Sequence, residues 1–172
     1  MKFLLASILT PLCVACSANS ASGTQVPKYP HLVLERTGQV NNYGNPILKV
    51  LMFENGNLTG SVKAVSGRGW TQSKPRNVAG TQAPLPDGQY EVSPTVHYVN
   101  SNPELGSKFV DIFPLFPTGR TELGFHVDPS FNRDSVKDGT SGCIGIVDSQ
   151  QRDTLFNFIT RTNTQKLFVR IN

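Results

Sequence analysis

The sequence predicts a mainly β domain, built as a β-sandwich or partly closed barrel with one helix towards its C-terminal side. Three observations carry this expectation. Short stretches rich in Val, Ile, Leu and Phe recur along the chain; Gly, Asn and Pro punctuate them, as in Asn55-Gly56-Asn57 and Pro86-Asp87-Gly88; and only the segment after Asp148 has its apolar residues at helical spacing.

The elements follow in order. Lys2 precedes an apolar run from Phe3 to Leu12 with small residues after it, the layout of a secretory signal over residues 1–15, and the run is too short to span a membrane. Leu12-Cys13-Val14-Ala15-Cys16 resembles a bacterial lipobox, which implies lipidation of Cys16 and a membrane anchor there. The alternative is cleavage near Ala18-Asn19-Ser20 and release of a soluble protein. Both place the chain outside the cytoplasm, in the periplasm or cell envelope.

Residues 16–30 are small, polar and proline-bearing, as a flexible tether is, and residues 31–172 form the domain. Its expected strands are His31 to Arg36, Ile47 to Phe53, Leu58 to Val65, Tyr90 to Val96, Lys108 to Phe113, Leu123 to Val127 and Cys143 to Val147. Asp148 is placed to cap a helix, with Gln151 three residues on and Leu155, Phe156, Phe158 and Ile159 forming its apolar face. A strand from Lys166 to Ile171 follows.

Composition narrows the function. A net charge of +4, spread along the chain without a basic stripe, argues against a nucleic-acid partner and suits an anionic polymer or membrane surface. Of three cysteines, Cys13 leaves with the signal and Cys16 is lipidated or lost, so Cys143 is the domain's one thiol. Exported proteins usually pair their cysteines; a single one points to used reactivity, or to a buried inert side chain.

The segment that carries chemistry runs from Gly119-Arg120-Thr121-Glu122-Leu123-Gly124-Phe125-His126-Val127-Asp128 to Asp138-Gly139-Thr140-Ser141-Gly142-Cys143-Ile144-Gly145. A histidine ends one apolar stretch and a cysteine opens another, and the polar loop between them can bring the two side by side at a cleft. An imidazole that takes the thiol proton makes the sulfur a nucleophile. The Thr140-Ser141-Gly142 turn can aim backbone N–H groups at an oxyanion, and Asp128 or a backbone carbonyl can orient the imidazole.

These residues resemble the L,D-transpeptidase catalytic domain of the YkuD type, whose signature is a histidine followed after such a gap by Ser/Thr-His-Gly-Cys. Sixteen residues separate His126 from Cys143 here. Thr140, Gly142 and Cys143 match the motif; Ser141 stands where the family has a second histidine, and Gly145 where it has Arg or Asn. Pro84-Leu85-Pro86-Asp87-Gly88-Gln89-Tyr90 is similar to the family's proline-glycine-tyrosine strand entry, and Ser66-Gly67 to its serine-glycine turn. The likeness covers roughly residues 31 to 147.

The resemblance implies that Cys143 attacks the carbonyl before the terminal D-alanine of a peptidoglycan tetrapeptide stem, forming a thioester, with His126 as base and then acid. An amine acceptor gives transpeptidation and water gives L,D-carboxypeptidase action. A secreted wall hydrolase or toxin on the same scaffold, and a wall-binding lipoprotein without chemistry, are the alternatives.

Arg120 lies an even number of residues before His126, which on a continuous strand puts it on the same face, where it can bind a stem carboxylate; a structural arginine is the other reading. Trp70 and Tyr98 are assigned to core packing, with a groove wall as the alternative. His31 and His97 have no partner pattern. Within the domain, residues 31–172, no C-x-x-C or H-E-x-x-H pair is present, so no metal or cofactor is expected.

Overall fold

A computed structural model describes residues 27–172; the expected signal segment, Cys16 and the expected tether up to residue 26 lie outside the described residues. The described residues are mainly β, with nine strands in one mixed sheet and a single α-helix. In chain order the strands are β1 (His31–Val40), β2 (Pro46–Glu54), β3 (Asn57–Val65), β4 (Gly88–Val92), β5 (His97–Tyr98), β6 (Lys108–Pro114), β7 (Leu123–Val127), β8 (Ile144–Ile146) and β9 (Lys166–Arg170). The helix α1 (Ser149–Thr162) lies between the last two.

Hairpin chemistry sets the first three strands. Asn55 and Gly56 both take a positive φ, as the tight turn that matches strand twist requires, so β2 and β3 pair antiparallel with Val50 opposite Val62. Around the sheet the order is β4-β9-β1-β2-β3-β8-β7-β6-β5, and a further ladder between β4 and β6 ties its two flanks together. The strands thus form one continuous sheet rather than the two separate sheets of a sandwich.

Two pairs are parallel, β1 with β9 and β7 with β8. Parallel neighbours need long connections, and the one from β7 to β8 is the polar loop between His126 and Cys143.

Alternate residues of the strands point inwards. Leu32, Leu34, Val50, Ala64, Phe125, Ile144 and Ile146 are fully buried in one core cluster together with Leu155 and Ile159 of α1. Each such Leu or Ile stabilises the fold by about 2 kcal/mol. Asp148 caps α1 by accepting the Gln151 N–H at 2.8 Å, and Asn163 ends the helix in the left-handed region. Among the described residues no helix is long and apolar enough to cross a membrane.

The strand expected to reach Val96 stops at Val92, because Ser93-Pro94 follows and proline has no N–H for a ladder. The two-residue β5 and the 3-10 turns Gly69–Thr71 and Pro103–Leu105 lack periodicity and were not expected. Trp70 and Tyr98 are 60% and 76% exposed, so neither packs in the core. His31 is buried, stacked on Phe53 at 4.8 Å, while the imidazole of His97 meets the Asp111 carboxylate at 3.0 Å.

Candidate active site

The site is built on the parallel pair β7 and β8. Their register sets Phe125 beside Ile144, His126 beside Gly145 and Val127 beside Ile146. Faces alternate along a strand, so Gly124 and His126 lie on one face of β7, and Cys143, just before β8, lies beside the Gly124 N–H. His126 and Cys143 both line one cleft of about 660 Å³. One wall is the loop from Asp128 to Ser141; the other is the turn Pro103–Leu105 with Phe109 and Asp111 of β6.

His126 is buried, and its Nδ1 lies 2.7 Å from the Val127 carbonyl oxygen. A carbonyl only accepts, so Nδ1 carries the hydrogen and Nε2 is left with the lone pair a base needs. The Phe109 ring stacks beside the imidazole, centroids 6.0 Å apart. Burial pushes the imidazole pKa down to about 4, against the Val127 hydrogen bond, which favours the charged form.

Cys143 is half-buried at the cleft floor, where its Sγ donates to the Glu122 carbonyl at 3.6 Å. Burial pushes the thiol pKa up to about 11; the Gly124 N–H and the Arg120 charge act against that rise, while Asp111 and Glu122 add to it. The resting pair is a neutral thiol and a neutral imidazole. Glu122 holds φ at 55°, in the left-handed region that a non-glycine residue occupies at a cost of about 1–3 kcal/mol, and this turns its carbonyl towards the sulfur.

The turn before Cys143 is held by Thr140. Its Oγ1 donates to the Cys143 carbonyl at 2.6 Å and accepts the N–H groups of Gly142 at 3.1 Å and Gly67 at 3.2 Å; the Thr140 N–H goes to the Gly67 carbonyl. Two of the N–H groups expected to face an oxyanion are therefore spent inside the fold. The N–H groups of exposed Ser141 and of Cys143 have no intramolecular acceptor among the described residues.

Asp128 holds the loop and not the imidazole, accepting the N–H groups of Ser130 at 3.0 Å and Gly139 at 2.8 Å; the imidazole takes the backbone carbonyl instead. Burial raises its carboxyl above the usual range.

Arg120 is 6% exposed and gives its N–H groups to the carbonyls of Ser141, Arg76 and Ala83 at 2.9 to 3.3 Å, so it is not free to bind a stem carboxylate. The expectation assumed an unbroken strand from 120 to 126, but the left-handed Glu122 and the start of β7 at Leu123 interrupt the alternation.

Two upstream segments converge on the turn. Ser66 Oγ donates to the Gly142 carbonyl at 3.4 Å and accepts the Leu85 N–H at 2.9 Å. Gly67 has φ +73° and lies so close to Pro84 that a Cβ would sit 2.6 Å from its nitrogen.

Sequence reasoning missed Arg68 and Glu104, an ion pair at 3.1 Å that links the two cleft walls, as well as Phe109, Asp111 and Glu122. Arg68 had a signal, standing next to Ser66-Gly67, and Glu122 lies four residues before His126; Phe109 and Asp111 come in only through the pairing of β6 with β7, and Glu104 through the turn Pro103–Leu105. No three His, Cys, Asp or Glu side chains converge as a metal site among the described residues. No protein-family model matches the chain, and no curated protein or solved structure does so.

Proposed function

We propose that this protein is an exported cysteine acyltransferase of the L,D-transpeptidase type, acting on peptidoglycan stem peptides. The observation that carries the proposal is that the Cys143 thiol and the His126 imidazole line one cleft beside the paired strands β7 and β8, with the imidazole held as the tautomer whose Nε2 can accept a proton. The match of Thr140, Gly142 and Cys143 to the family's nucleophile motif supports the substrate class, as does the seating of Ser66-Gly67 and Pro84 against that turn.

In the first step the thiol proton passes to His126 Nε2 and sulfur attacks the carbonyl carbon before the terminal D-alanine. The N–H groups of Ser141 and Cys143 are the free donors of the turn available to the oxyanion. Collapse breaks the C–N bond, the imidazolium returns its proton to the leaving amine, and a thioester remains. His126 then takes a proton from the acceptor, an amine for transpeptidation or water for carboxypeptidase action, and the C–S bond breaks. Lipidation at Cys16 would tether this chemistry to a membrane.

The second reading, a wall-binding domain with an inert thiol, draws on the burial that holds both groups neutral. Intact-protein mass spectrometry after incubation with disaccharide-tetrapeptide separates the two. The expected result is an adduct that has lost D-alanine and is absent from Cys143→Ala, with the released product reporting water or amine. Folded protein with a reduced thiol that yields neither adduct nor product rules out the enzymatic reading.

A further inference from the structure

Arg120 is a buried cation without an anionic partner. Its guanidinium is bonded only to backbone carbonyls, and none of the ion pairs among the described residues includes it. Taking such a charge out of water is costly unless something compensates it. The groups that would compensate it as anions are the thiol of Cys143 and the phenol of Tyr90. Tyr90 is fully buried, donates its hydroxyl to the Pro86 carbonyl, and has its pKa raised by that burial, so it stays neutral.

The nucleophile turn is also shaped around the guanidinium. A Cβ on Gly142 would lie 1.5 Å from Arg120 Nη2, and the same nitrogen donates to the Ser141 carbonyl at 2.9 Å. The cation therefore sits under the residue that precedes the nucleophile.

We propose that Arg120 is a positioning residue whose buried charge serves as the standing counter-ion of the Cys143 thiolate, supplying the positive potential at the sulfur from beneath the turn. The inference rests on Cys143 acting as a nucleophile, and not on which acyl group it takes. When the thiol proton moves to His126, the electron pair left on sulfur meets a charge already in place, so no side chain has to reorganise. The neighbouring charges define the contest: Arg120 and the Gly124 N–H favour the thiolate, Asp111 and Glu122 oppose it, and His126 receives the proton.

The test is the pH dependence of Cys143 alkylation by iodoacetamide, with no wall substrate present, in the full chain and in Arg120→Met and Arg120→Lys. Arg120→Met is expected to move the midpoint up by at least about one unit and to slow alkylation at pH 7.5 by about threefold or more, since the more basic sulfur recovers part of the tenfold loss of thiolate. Arg120→Lys should restore most of the shift. An Arg120→Met profile that superposes on the parent, in a folded protein, overturns the proposal.

A second pair of variants covers failure of Arg120→Met to fold. With Arg120 intact, Cys143→Asp is expected to melt at or above Cys143→Asn at pH 7 and to lose that advantage in acid. Cys143→Asp melting well below Cys143→Asn would mean that no compensating charge reaches the sulfur position, and would equally overturn the inference. Because neither readout involves peptidoglycan, a failed acyl-transfer assay leaves this result standing, and the reverse holds too.

Discussion

Gly142 has φ +119° and no room for a side chain, since the Arg120 guanidinium that fills the Cβ position is itself fixed on three carbonyls. Gly142→Ala must strain the backbone and dislodge the buried cation together, for a loss of about 2–4 kcal/mol in urea unfolding. Gly145 makes a sharper case. A Cβ there would lie 2.7 Å from Thr140 Cγ2 and 3.0 Å from Asp128 Cβ, the two side chains that shape the loop behind His126. Placing the Arg or Asn of the resembled family at this position is therefore expected to destabilise the protein by about 2 kcal/mol or more. A Gly145→Asn melting temperature equal to the parent's would show that the loop yields at no cost.

The loop from Asp128 to Gly142 joins two parallel neighbours without a strand or α-helix of its own, so its shape depends on side chains that reach in from elsewhere. Asp138 is the main anchor: buried, it accepts Asn41 Nδ2 at 2.6 Å, Asn45 Nδ2 at 3.3 Å and the Asn132 N–H at 2.8 Å. Asp138→Ala leaves these donors without an acceptor and is expected to cost about 2–4 kcal/mol. Hydrogen exchange should report faster exchange at Asn132 and its neighbours, while α1 exchanges as before. Uniform acceleration across the molecule would instead mean that the loop is not a separate unit.

The contrast between α1 and this loop shows what was legible. The Asp148 cap and the 155–159 apolar face are local patterns, and both were readable. The loop's polar character was readable too, but not its anchors, because Asn41 and Asn45 precede Asp138 by more than ninety residues. The site divides likewise: the spacing of Cys143 and His126 is carried by one stretch of chain, whereas for Arg120 the sequence left two readings open, and the alternation behind the carboxylate-binding one is broken by a single left-handed residue, Glu122.

Across the whole molecule the two buried site groups bound the pH range of stability. The strand order that buries them is not local either; β9 pairs with both β1 and β4, which no periodicity in Lys166–Arg170 announces. His126 has a folded pKa of about 4 against 6.5 for an ordinary histidine. Between these values the unfolded chain binds the proton that the folded protein refuses, so stability is complete above pH 6.5 and falls as the pH drops towards 4, by up to about 3 kcal/mol. Asp128, raised by burial, titrates in the opposite sense at the acid end and offsets part of the loss.

Cys143 sets the alkaline side. Its folded pKa of about 11 against 9.0 means that the unfolded chain loses its proton first, and stability declines as the pH rises from 9 to 11. For these two groups the urea midpoint should be flat from about pH 6.5 to 9 and fall on both sides. His126→Gln should flatten the acid limb and Cys143→Ala the alkaline one, each leaving the other limb in place. An acid limb unchanged in His126→Gln would mean that His126 is not held neutral by burial, and the resting state from which it accepts the thiol proton would have to be redrawn with a charged imidazole.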